Sequence, residues 1–134
     1  MQETQNTKVV QDAYAAFGRG DIPAILNLLA DNVNWQGVYG AGPHVPMAGK
    51  RRGKAAVDEF FKLVAVHETF SSFEPREFVA SGNKVVALGH YSGKTSSGKT
   101  FDADFAMVFT VENGKVTAFQ EFTDSAAINA AHAA

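Results

Sequence analysis

Three side chains in this chain are of the type that could move a proton in apolar surroundings: Glu121, His90 and Tyr14. Glu121 lies in the middle of the run Phe119-Gln120-Glu121-Phe122-Thr123. If it points inward it sits among Phe105, Met107 and Phe119. Lost hydration there disfavours the charged form and raises the pKa. A carboxyl titrating toward neutrality is what a general acid or base requires. A buried Glu paired with a Tyr or His for structure alone would leave the same pattern. His90 lies thirty-one residues earlier on another strand-like run and would be a partner if it faces the same side; otherwise it faces solvent. Tyr14 falls on the apolar face of the first helical segment. Once buried, its hydroxyl needs a partner, which could be a substrate oxygen, Glu121 or a core group. Trp35, Phe60, Phe105, Met107 and Phe119 are the walls expected around such a carboxyl, excluding water and strengthening local electrostatics.

Other chemistries lack their residues. The chain has no cysteine, so neither disulfides nor thiol catalysis is available. His44, His67, His90 and His132 have no ligand spacing, and no HExxH element occurs, so no metal site is expected. Neither a glycine-rich phosphate loop nor a GxSxG elbow is present. The expectation is acid–base chemistry without a cofactor on a hydrophobic small molecule. Net charge is −2 and the one basic cluster is Lys50-Arg51-Arg52, which argues against nucleic acid. The polar start Met1–Asn6 and the lack of a long apolar window argue against a leader or a membrane span, giving a cytoplasmic expectation.

The elements that must position these groups follow from periodicity. From Thr100 to Glu112, Phe101, Ala103, Phe105, Met107, Phe109 and Val111 alternate with mostly polar residues. That is a strand with one buried, ring-lined face, about twice the usual length. Long strands coil as sheets twist, and a coiled sheet packed by helices tends to enclose a cavity. The eleven Phe, against one Trp and three Tyr, fit a core or pocket lined by rings. Asp102 and Asp104 fall on the other face, solvated or at a dimer contact. Helices are predicted over Thr7–Gly18, from Ile22 to about Ala30 behind an Asp21 cap, and over Lys54–Val66. A short strand spans Val33–Gly37, and Gly37–Gly53 reads as a long irregular cover whose His44 and Met47 could touch a ligand. Strands near Thr69–Ala80, Lys84–Lys94, Thr100–Val111 and Lys115–Thr123 precede a short helix capped by Asp124 or Ser125. This is one α+β domain over residues 1–134.

Two hairpin turns decide which way the polar groups face, because a one-residue shift exchanges the faces of a strand. A two-residue Asn113-Gly114 loop would pair Met107 with Gln120 and turn Glu121 out. A three-residue Glu112-Asn113-Gly114 loop would pair Met107 with Phe119 and turn Glu121 in. The second is preferred, since it also keeps Phe119 with the apolar side chains. Likewise a Ser97-Gly98 loop would put His90 inside, whereas Ser96-Ser97-Gly98 would put Tyr91 inside and His90 out.

The chain resembles the SnoaL-like branch of the nuclear transport factor 2-like superfamily, the ketosteroid-isomerase-like proteins. The resemblance rests on Ala13-Tyr14-Ala15-Ala16-Phe17-Gly18-Arg19-Gly20-Asp21, Leu28–Trp35, and Arg52-Gly53 before a helix with Phe60-Phe61. It continues in Phe109–Val116 and Gln120–Asp124. It implies a cone-shaped, curved antiparallel sheet wrapped around three N-terminal helices, an apolar pocket, and a homodimer through the outer sheet face. It also implies that alternate residues of the last strand line the pocket. The general-base aspartate of the steroid isomerases would fall near Gly37 and their protonated aspartic acid at Met107. Their catalytic tyrosine would fall nearer Ala13 than Tyr14. The acid on the last strand of limonene-epoxide-hydrolase-like members looks like Glu121. Isomerisation, cyclisation, dehydration and epoxide hydrolysis remain open, as do plain ligand binding and a dimeric interaction module.

Overall fold

The computed structural model describes residues 2–134. In chain order the elements are α1 (Gln2–Gly18), α2 (Ile22–Asn27), β1 (Leu29–Gly37), β2 (Gly49–Arg52), α3 (Lys54–His67) and β3 (Glu68–Ser81). They continue with β4 (Lys84–Thr95), β5 (Thr100–Glu112), β6 (Lys115–Thr123) and α4 (Ser125–His132). One six-stranded sheet has the order β2-β1-β6-β5-β4-β3. Its pairs are antiparallel except β1 with β6, which is parallel. The helices cover the apolar face of this curved, unclosed sheet, and the α+β architecture expected from the sequence is the one observed.

Sheet curvature is built where β3 meets β4. β3 carries one extra residue at Ser71 and another at Arg76 relative to its partner. Such bulges bend a strand and increase its twist. They also break the two-residue period, so that Phe70 and Phe73, three apart, both join the aromatic core. Opposite each bend β4 has a glycine: Gly93 pairs with Phe70 and Gly89 with Pro75. A Cβ on Gly93 would lie 2.3 Å from the Thr69 carbonyl oxygen, and one on Gly89 2.2 Å from that of Glu74. Only glycine permits so close a backbone approach.

Three departures from the expected elements have local causes. Helix α2 ends at Asn27 rather than near Ala30, because the Leu28 carbonyl accepts the Val116 N–H at 2.8 Å and Leu29 begins pairing with β6. The stretch expected to be irregular contains β2, a four-residue edge strand of Gly-Lys-Arg-Arg held to β1 through the backbone. It has no apolar alternation to announce it. The β5–β6 connection is the two-residue Asn113-Gly114 turn, with φ of 52° and 76°, and not the three-residue loop preferred above. Both positive φ values suit a type I′ hairpin. The register still shifts by one, since Val111 pairs with Val116 but Thr110 with Ala118, leaving Thr117 extra. Met107 therefore faces Glu121, not Phe119 or Gln120, and Glu121 turns inward through a bulge at Thr117, three residues beyond Gly114.

Candidate functional site

The concave side of the sheet encloses a cavity of about 80 Å³. Each layer of the fold contributes to it. Tyr14 and Phe17 come from α1, Trp35 from β1, and Phe60 and Phe61 from α3. Phe70 and Phe73 come from β3, Tyr91 from β4, Met107 from β5, and Phe119 and Glu121 from β6. Ile128 of α4 and Met47 of the β1–β2 connection close it further. Trp35 stacks on Phe119 with centroids 3.9 Å apart and meets Phe60 edge-on at 5.5 Å. The Trp35 Nε1–H is buried and has no hydrogen-bond partner among the described residues.

Glu121 is 7% exposed. Its Oε2 accepts the Tyr91 hydroxyl at 2.7 Å and its Oε1 accepts the Val38 N–H at 3.3 Å. The Glu121 carbonyl takes the Tyr39 N–H at 2.8 Å, so the chain just after β1 grips this residue at side chain and backbone alike. Val38 has φ of +35°. A β-branched residue there is a true outlier, and such strain persists where surrounding structure enforces it, often at functional sites. Here the strained backbone is what presents the Val38 amide to the carboxylate.

Burial pushes the Glu121 pKa up to about 7; the Tyr91 and Val38 hydrogen bonds pull the other way and the nearby Glu68 charge adds to the rise. Tyr91, 3% exposed, is itself pushed upward by burial and then by the charge of Glu121, so it remains a protonated donor. Tyr91→Phe removes a donor that favours the carboxylate. We expect the Glu121 midpoint to rise above its present value, by roughly one unit, in a carboxyl ¹³C NMR titration. A midpoint that falls would show that this hydrogen bond does not set the carboxyl's acidity.

The remaining sequence candidates divide. Tyr14 lines the cavity, but its hydroxyl donates to the Met107 sulfur at 2.9 Å and not to Glu121. Burial, and then the charge of Glu121, raise its pKa well above the ordinary value. His90 is a correction. The β4–β5 loop is the three-residue Ser96-Ser97-Gly98 form closed by the Thr95 N–H on the Lys99 carbonyl at 2.9 Å. This pairs His90 with Asp104 and puts Tyr91 inside. On the outer face His90 is bound by Asp104 at 2.7 Å and by Asp102, and the Asp104 hydrogen bond leads the rise in its pKa. It cannot partner Glu121. Phe105 is a second correction: buried at 4%, it packs behind Tyr91 at 5.1 Å and does not line the cavity. Met47 reaches the cavity, whereas His44 is exposed, its N–H held by Asn129 at 3.0 Å. Sequence reasoning missed Glu68, a wall residue hydrogen-bonded to His132, for which the strand pattern carries no signal. Tyr91 was visible only through the loop-length alternative. Among the described residues no group of three His, Cys, Asp or Glu side chains is arranged to hold a metal.

This geometry, a helix-covered curved sheet around an apolar chamber with one gripped carboxyl, matches a known family. The SnoaL-like domain profile covers residues 10–119, and the chain belongs to that family within the NTF2-like superfamily. An NTF2-like protein from Burkholderia xenovorans LB400 is 33% identical over 98% of both chains, with a TM-score of 0.87. An NTF2-like protein of unknown function from Burkholderia pseudomallei K96243 is 28% identical, covering 97% of this chain and 98% of its own, at 0.85. TerC, co-crystallised with polyporic acid, is 28% identical over 95% of this chain and 97% of its own, at 0.81. No curated protein matches the sequence. At Gly37 a Cβ would lie 2.6 Å from the Phe60 ring and 2.8 Å from the Met47 carbonyl oxygen, so this backbone leaves no room for a side chain there.

Proposed function

We infer that the protein is a small acid–base enzyme acting on a hydrophobic, oxygenated molecule, by isomerisation, cyclisation, dehydration or epoxide hydrolysis. The observation that carries this reading is the Glu121 carboxyl, buried inside an apolar chamber, where burial raises its pKa to about 7. At neutral pH such a group is divided between both forms, so it can accept or release a proton. Oε1, held only by the longer Val38 contact, is the oxygen free to meet a substrate proton. Tyr91 fixes the other oxygen. The Tyr14 hydroxyl, whose present partner is a weak thioether acceptor, is available to a substrate oxygen. The buried Trp35 N–H, without a partner among the described residues, offers another donor at the wall. TerC's polyporic acid supports an aromatic, oxygenated ligand class for this chamber as well.

A second reading, a carrier without chemistry, is favoured by the closed position at Gly37, where an acid–base side chain has no room. Native mass spectrometry of the purified protein, with polyporic acid as an added probe, identifies the bound class. Incubation of the retained compound with wild type then separates the readings: conversion supports the enzyme, and release of unchanged compound under all conditions supports the carrier.

The outer sheet face supports a homodimer. Leu88 is 37% exposed there and Val86, Ala106 and Val108 are half-buried in the isolated chain. We expect Leu88→Glu combined with Val108→Lys to move the protein from dimer to monomer in sedimentation equilibrium. A wild type that sediments as a monomer throughout would exclude this interface.

A further inference from the structure

We propose that Glu68 is a second proton-transfer residue of the same chamber, with His132 as its positioning residue, making the site a two-acid device. The inference rests on the acid–base reading of Glu121 and assigns the group that completes it. Glu68 opens β3 opposite Thr95 of β4 and lines the cavity with Glu121 and Tyr91. Its Oε2 lies 2.8 Å from His132 Nε2, and the two side chains are 9% and 2% exposed.

His132 is held there by built structure. Asp124 caps α4 by accepting the Ala127 N–H at 3.1 Å, and Ile128 and Ala131 bury the inner face of that helix. The Ala131 carbonyl accepts the Ser97 hydroxyl at 2.7 Å and the Thr95 hydroxyl as well. The β4–β5 turn thus fixes the last turn of α4 and the imidazole on it. The titratable groups acting around Glu68 are His132 from α4, Tyr91 from β4 and Glu121 from β6. Among the described residues no Lys or Arg pairs with Glu68. Burial raises the Glu68 pKa to about 7 and lowers that of His132, so it disfavours the charged form of each.

For an isomerisation the step balances as follows. The Glu121 carboxylate takes a proton from a substrate carbon, and the C–H electron pair moves through the substrate onto its oxygen. Glu68 gives its proton to that oxygen and is left as a carboxylate beside the His132 ring. Returning the Glu121 proton to a different carbon, and the oxygen's proton to Glu68, restores both groups with no net proton change.

The test uses dicyclohexylcarbodiimide, a hydrophobic reagent that adds to protonated carboxyls. The acid O–H adds across the N=C=N unit and the adduct rearranges to an N-acylurea, so the peptide gains the full reagent mass. Peptide mapping of wild type from pH 5 to 9 should find label on Glu68 and on Glu121, each declining as pH rises through about 7. His132→Gln should move the Glu68 midpoint by about half a unit or more and that of Glu121, which feels Glu68 only through its charge, by less. Label on Glu121 without label on Glu68 overturns this inference alone. Label on Glu68 without label on Glu121 removes the reading beneath it. A Glu68 midpoint indifferent to His132→Gln removes the positioning role.

Discussion

Glu121→Gln should lower turnover by a factor of about 10²–10⁴, the usual share of a positioned general acid or base, while making the folded protein more stable above neutrality. The two effects have one cause. The carboxyl is held where its charge is poorly solvated, and its pKa in the folded chain is raised to about 7 from an ordinary 4.5. Between those values the native state holds a proton that the unfolded chain has released. The contribution of this group is therefore fully present below pH 4.5 and is lost as pH rises through about 7. The loss at pH 8 is on the order of 3 kcal/mol. Glutamine keeps an oxygen for the Tyr91 hydroxyl and carries no charge to desolvate. Thermal melts at pH 5 and pH 8 should show wild type weakening with pH much more than the variant, with a variant melting point higher by roughly 10 °C at pH 8. Glu68 adds a slope of the same sign in both proteins, so the difference between them reports Glu121 together with its charge coupling to Glu68. Equal turnover in the two proteins would end the assignment of Glu121 as the proton-transfer group. Equal pH dependence of their stabilities would show that the carboxyl is solvated in solution.

How much of this was legible in the sequence depends on which physical signal each feature leaves. Strand β5 announced itself because every second residue from Phe101 to Val111 is apolar, and all of those are buried. The caps at Asp21 and Asp124 were readable because short carboxyl side chains at helix starts satisfy free N–H groups, as both do here. The inward face of Glu121 was reached through the wrong turn. Asn113-Gly114 reads naturally as a two-residue hairpin, and the compensating bulge at Thr117 has no residue-type signature. His90 went the other way for the same kind of reason: one residue of loop length separates a wall from a surface. Glu68 and His132 lie sixty-four residues apart and meet only after α4 folds back across the sheet, a tertiary contact that no local pattern encodes. Phe105 is buried as its alternation requires, yet it is not the wall residue expected, because burial follows from alternation while position along a coiled strand does not.

The second large effect concerns the bend that makes a chamber out of a sheet. Gly89→Ala should destabilise the fold by more than about 3 kcal/mol, above the usual range for overpacking. The added Cβ would sit 2.2 Å from the Glu74 carbonyl oxygen, 2.5 Å from Phe105 Cζ and 2.9 Å from Pro75 Cα. Two of these are backbone atoms of a paired strand, which cannot rotate aside. Relief requires β3 to move off β4 at the Arg76 bulge. That would displace Phe73, which packs on Tyr91 with centroids 5.7 Å apart and so supports the donor to Glu121. Gly98→Ala is the control: it has open space around it but φ of +91°, so it tests backbone conformation without a clash. It should cost roughly 1–2 kcal/mol. Chemical unfolding of the two variants therefore separates steric closeness from φ preference. A Gly89→Ala variant no less stable than Gly98→Ala would mean that the β3–β4 bend tolerates a wider approach. In that case the bulges at Ser71 and Arg76, without the glycines, would suffice to curve the sheet around its carboxyl.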